Sequence, residues 1–272
     1  MNEAITLWID ESTEIKINND EYNLIGYLIT DSYLDELNFL ADLKKVRNIE
    51  PKCWTTIHGS KITNCKDREM ILLDRWLDIF NKNSSVYFHC FFYKKNTKYI
   101  SKSKNYEHYF AKQSIFSLAQ KMKIDGENIN KIFNKTKTLT ILFDRRRAHS
   151  ANIINKENEK EIERINELED VYRDEIAEQI KKITGKDCKT KNFTIRFSFV
   201  SSECFDGMQF TDGLLYLVRK KIEQEVNNKE NDFTKLFDKY FLDKYDLHTK
   251  KLGFKKIYEF STKFNFFESN SI

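Results

Sequence analysis

Apolar and polar positions alternate along "ITLWID" and again along "YNLIGYLIT", so the chain opens with strand-like runs at 4–10 and 22–30. The polar stretch "STEIKINNDE" reads as their connection, which makes a hairpin. Over 33–46 the period changes, and Leu34, Leu37, Leu40, Ala41 and Val46 recur at roughly helical spacing. Further helices are expected across "REMILLDRWLDIFNK", 68–82, and across 106–122. "SVYFHCFFY", 85–93, has the aromatic and β-branched content of a buried strand. "TLTILFD", 138–144, is short, apolar and bounded by polar segments, the marks of another. In "FTIRFSFV", 193–200, Phe193, Ile195, Phe197 and Phe199 share one face of a strand.

Between those last two strands, 156–184 carries Ile162, Ile165, Leu168, Tyr172, Ile176, Ile180 and Ile183 at steps of three or four, with Glu, Lys and Arg elsewhere. This is a long charged amphipathic helix that packs its stripe on the body of the protein, protrudes as an arm, or pairs with its copy in a homodimer through 156–184. Helices over 208–227 and 233–242 follow, while "YEFSTKFNFFE" near the C-terminus fits neither period. Strands alternating with helices predict a mixed α/β fold. One proline and seven glycines leave no obvious flexible linker. The domain reading is therefore 1–227 as the main body, with 228–272 as a C-terminal extension packed on it.

Composition narrows the classes. Hydrophobic residues at 40% and aromatics at 14% exclude a disordered chain despite 32% charged residues. With 46 basic and 42 acidic residues the mean field is weakly positive, so contact with nucleic acid must rest on local clusters. Five cysteines without a C-x-x-C pair read as reduced intracellular thiols. There is no signal-peptide pattern and no apolar run of about 18 residues, so a soluble cytoplasmic protein with no membrane association is expected. No G-x-S-x-G, Walker or dinucleotide-binding pattern occurs either.

The candidate chemistry lies in acids at element ends. Asp10, with Glu11 beside it, ends the first strand; Asp144 ends the central one; Asp212 sits early in the 208–227 helix, three positions after Gln209. Taken singly, each also suits a turn or a helix start. Together, from separate elements, they suit a hard divalent cation such as Mg²⁺ or Mn²⁺, which takes oxygen ligands. Arg145, Arg146 and Arg147 directly after Asp144 suit phosphate contacts, or ion pairs with the acidic helix beyond. Lys94 and Lys95 begin a lysine- and tyrosine-rich stretch that suits a nucleic-acid strand or a solvated loop. His58 is the one histidine beside both a glycine and a lysine, in "IHGSKI".

"WIDEST", "IHGSKI", "LFD" and "GMQFTDGLLYLVRK", in that order over roughly residues 5–220, resemble the signature of the domain of unknown function 3800 family, which has a ribonuclease H-like fold. The resemblance implies an α/β fold with a ribonuclease H-like mixed sheet flanked by helices, and here the long charged helix is inserted before the last strand. It places the family's acids on Asp10, Asp144 and Asp212, with Glu11 beside the first, and its other motif positions on Gln209, His58 and Lys61. It further implies a metal-dependent nuclease, acting on DNA or RNA with Mg²⁺ or Mn²⁺, in anti-phage defence and with a protein partner there. One position departs: Thr56 stands where relatives often carry glutamate, so Glu11 substitutes, metal binds less tightly, or catalysis is lost. The last case is a catalytically inactive module that binds nucleic acid or a partner protein.

Overall fold

The computed structural model describes residues 3–17, 20–30, 32–49, 55–57, 68–83, 85–94, 136–144, 156–184, 194–200, 205–227, 231–241 and 257–258. In order these form β1 (Glu3–Ile17), β2 (Asp20–Thr30), α1 (Tyr33–Ile49), α2 (Arg68–Lys82), β3 (Val86–Lys94), β4 (Thr136–Asp144), α3 (Lys156–Thr184), β5 (Thr194–Val200), α4 (Asp206–Asn227), α5 (Asp232–Phe241) and β6 (Ile257–Tyr258). The sheet order is β5-β4-β1-β2-β3-β6. β2 runs antiparallel to both its neighbours, whereas β1, β4 and β5 are mutually parallel. This is a mixed α/β sheet flanked by helices. The long charged helix precedes β5, the last strand of the five-strand core, and the short β6 adds to the other edge beside β3.

The alternation places the two cores. Trp8, Leu24 and Leu28 face one side, where they join Phe39 and Leu43 of α1, Leu73, Trp76 and Phe80 of α2, and Phe210, Leu214 and Leu215 of α4 in one buried cluster. Ile9, Tyr27, Ile141 and Phe197 face the other side and are also buried. There α3 uses the middle of its stripe: Tyr172 and Ile176 are buried, and the Tyr172 ring lies 6.1 Å from that of Phe197. Glu169 of the same helix accepts the Phe197 N–H at 3.0 Å. That bond satisfies a backbone donor on an edge strand, where an open N–H invites pairing with another chain.

α4 approaches the sheet closely because small residues line the contact. A Cβ on Gly26 would lie 2.8 Å from Leu215 and from Phe88, so only a hydrogen fits there. We expect Gly26→Val to force α4 and the sheet apart, at a cost of about 1–3 kcal/mol or more from overpacking. A melting temperature equal to that of the wild type would contradict this packing. On the outer side, α5 adds Phe233, Leu236, Phe237 and Tyr240 to the same core cluster. It is capped by Asn231, whose side chain accepts the N–H groups of Phe233 and Thr234 at 3.0 and 3.1 Å. A Lys221–Asp238 ion pair at 2.8 Å and a hydrogen bond of 2.7 Å from the Tyr240 hydroxyl to Asp74 fasten it.

Three expectations from the pattern change. β1 does not end at Asp10 but continues to Ile17, with β2 as its partner through Asp20, because Ile15 and Ile17 carry the strand pattern through the polar stretch. α1 turns inward on Glu36, Phe39 and Leu43, while Leu34 and Leu37 are exposed. Phe39 is the larger apolar group, and the Glu36 carboxylate is held by the Thr6 hydroxyl at 2.6 Å, which together fix the helix rotation. α4 presents no open polar face around Gln209, since Met208, Gln209, Phe210 and Thr211 are all buried beneath its neighbours. The helix expected over 106–122 lies outside the described residues. Among the described residues no helix is long and apolar enough to cross a membrane.

Candidate functional site

Parallel pairing of β1 with β4 matches Trp8 to Leu142 and Ile9 to Phe143. The next step along both strands is Asp10 on one and Asp144 on the other. Paired residues of a parallel ladder share a face, so these two carboxylates project to one face where β4 ends and β1 runs on to Ile17. α4 covers this same face, and Gly26, the β2 partner of Asp10, is the position that lets the helix come close. Asp212 enters from that helix.

The electrostatics of Asp10 report the convergence. Its carboxyl is pushed well above the usual carboxylate range, first by burial, then by the negative charges of Asp212 and Asp144. The Glu11 N–H, donating to Asp10 Oδ1 at 2.7 Å, pulls the other way, and the adjacent Glu11 carboxylate adds a smaller upward push. Asp10 is buried, whereas Asp144 and Asp212 are half-buried. Alternation along the continuing strand sends the Glu11 side chain to the opposite face of the sheet from Asp10.

A buried carboxylate pressed by two others is short of positive charge, and a divalent cation supplies it through oxygen ligands alone. The donor set therefore fits Mg²⁺ or Mn²⁺ in chemistry. In geometry the side chains are spread: among the described residues no three His, Cys, Asp or Glu groups stand close enough to hold an ion as they are. Ligation needs the half-buried Asp144 and Asp212 side chains to close on Asp10.

Crowded carboxylates also cost stability. Because folding raises the Asp10 value, its stabilising contribution is complete only below the ordinary carboxylate range and is lost as pH rises through the raised value. Asp10→Asn should accordingly melt higher than the wild type at neutral pH without metal, with the gain shrinking toward acid. Thermal melts over a pH series check this, and a lower melting temperature at neutral pH would contradict the crowding.

Gln209 is fully buried one turn before Asp212. Its side-chain oxygen accepts the Ile57 N–H at 2.9 Å and Nη2 of Arg47 at 2.6 Å. Arg47 also pairs with Asp206 and lies 4.8 Å from the Trp76 ring centroid. Sequence reading missed Arg47, whose only local signal, a basic side chain in the last turn of a helix, suits the helix dipole equally well. His58, Lys61, Lys95, Arg145, Arg146 and Arg147 lie outside the described residues, as does the side chain of Lys94, whose backbone pairs with Tyr22 at the end of β3.

No protein-family model matches the chain, and no curated protein matches it. Among solved structures it is similar to a chain of the PCNA:RNase HII complex from Archaeoglobus fulgidus, with 9% identity and a TM-score of 0.38, over 88% of this chain and 89% of that one. So slight a likeness carries no weight for activity; the fold stands on the strand order and directions of this chain itself.

Proposed function

We propose that the protein is a divalent-metal-dependent nuclease that hydrolyses phosphodiester bonds in DNA or RNA. The observation that carries this is the convergence of charge on Asp10: Asp144 follows the last paired residue of the adjacent parallel strand, and the Asp144 and Asp212 charges both press on the same buried carboxylate. In the working site Asp10 is the fixed ligand, because burial and the Glu11 N–H hold it in one orientation. Asp144 and Asp212 swing in from the rim, one from a strand end and one from a helix. A bound Mg²⁺ or Mn²⁺ would activate water and stabilise the charge that builds on the phosphorane and the leaving oxygen. The chain contributes geometry and negative charge, and His58 and Lys61 are the proposed groups for substrate or the attacking water. Arg145, Arg146, Arg147, Lys94 and Lys95 are the proposed phosphate contacts.

The test is cleavage of labelled single- and double-stranded DNA and RNA by purified protein with Mg²⁺ or Mn²⁺, and its arrest by chelator. Cleavage that continues in chelator sinks the metal reading. A second reading, a module that binds nucleic acid or a protein partner without cutting, is favoured by Thr56, an exposed residue at the position where the family this chain resembles often carries glutamate. Binding without cleavage under every condition would decide for it.

A further inference from the structure

Gln209 has no exposed surface, so it reaches neither substrate nor solvent directly. What it does reach is the backbone of residue 57, a segment 152 positions away in the chain. We infer that Arg47 and Gln209 form a clamp that positions the segment leading into "HGSK" against α4, beside Asp212. This rests on the nuclease reading for its consequence in catalysis, but the clamp itself is a statement about backbone geometry.

The chemistry of the three groups fixes the arrangement. A glutamine side chain ends in an acceptor oxygen and a donor nitrogen, and either can point toward a neighbour. Here both facing groups, the Arg47 guanidinium and the Ile57 N–H, are donors only. A flipped amide would set its own N–H bonds against theirs, so the oxygen must face both. Arg47 thus dictates the direction of the Gln209 amide, and the amide then presents its acceptor to Ile57. Arg47 is itself immobilised by Asp206 on one side and the Trp76 ring on the other. Burial lowers the tendency of the guanidinium to hold its proton, and the Asp206 carboxylate offsets that.

The clamped segment has two more anchors. The Thr55 hydroxyl donates to Glu69 of α2 at 2.9 Å, and the Ile57 side chain is fully buried. A Cβ on Gly213 would stand 3.4 Å from Ile57, so the segment runs beside α4 next to Asp212. Whatever follows Ile57 starts from a point tied to the helix that carries the third acid. Arg47 and Gln209 are positioning residues in this account, since neither touches the reacting atoms.

The test uses the full-length protein and three variants, Arg47→Met, Arg47→Lys and Gln209→Leu. Hydrogen exchange at the Ile57 amide reads the clamp without reference to activity, and kcat and KM on labelled nucleic acid read its consequence, at a temperature where each variant is folded. The expected result is faster Ile57 exchange in Arg47→Met and Gln209→Leu, with kcat lower by about 10–100-fold, as for lost supporting contacts around a metal site, and KM nearly unchanged. Arg47→Lys keeps a donor and the charge opposite Asp206, so it should fold even if Arg47→Met does not, and should recover part of both readouts. Unchanged Ile57 exchange in the variants overturns the clamp, and a normal kcat once exchange has quickened overturns its role in catalysis. If the wild type cleaves nothing, the nuclease reading fails, and the exchange measurement alone decides whether the clamp exists.

Discussion

Asp144→Asn should leave the protein folded and nearly devoid of metal-dependent cleavage. The substitution keeps side-chain size and one carbonyl oxygen while removing a negative charge from a cluster in which Asp144 already raises the Asp10 value. Relief of that repulsion favours the folded state, so the melting temperature should hold or rise. Catalysis loses a ligand whose charge is needed when the phosphorane forms. Removal of a single preorganised electrostatic contact commonly costs on the order of 10²–10³ in rate, and a metal ligand at least as much. Asp212→Asn should behave the same way, because its charge presses on Asp10 more strongly than that of Asp144 does. Single-turnover cleavage beside thermal melts separates the two effects. Full activity in both variants would remove the acids from the reaction.

The second large effect is on stability. Phe210 is fully buried, with its ring centroid 5.6 Å from Phe39, 5.4 Å from Phe80 and 6.1 Å from Trp76. It is the point where α1, α2 and α4 meet. Phe210→Ala removes the ring from all three neighbours at once and leaves a cavity that rigid helices cannot close. The expected loss is about 3–5 kcal/mol, read as a lower denaturation midpoint with an unchanged m-value. For a protein of this size each kcal/mol moves the melting temperature by roughly 2–4 °C, so the shift should be plain. A loss below about 1 kcal/mol would mean that the aromatic cluster is not the core of the fold. Gln209 lies beside Phe210 in α4, so this variant should also loosen the clamp on Ile57.

Much of this was legible in the chain itself. Periods of two and of three to four residues marked β1 to β5 and the described helices, because burial on one face imposes that period whatever the partner. The α2 range, 68–82, and the α3 range, 156–184, were read to the residue. The acids stood out as candidates, Asp144 at a strand end, Asp10 at an expected one and Asp212 early in a helix, although β1 in fact runs on past Asp10. What the chain alone could not show was which surfaces meet. Leu34 and Leu37 have the spacing of a core stripe, yet α1 turns on Phe39 and Leu43, because Glu36 is bound to Thr6 on the face of the sheet that α1 covers. Gln209 has the look of a site residue at a helix start, yet it is closed in by partners 152 and 162 positions distant. Local pattern records how each element divides its own residues between inside and outside. The parallel register that sets Asp144 beside Asp10, and the Gly26 contact that brings α4 and Asp212 over them, are pairings between distant segments, and only the packed fold selects them.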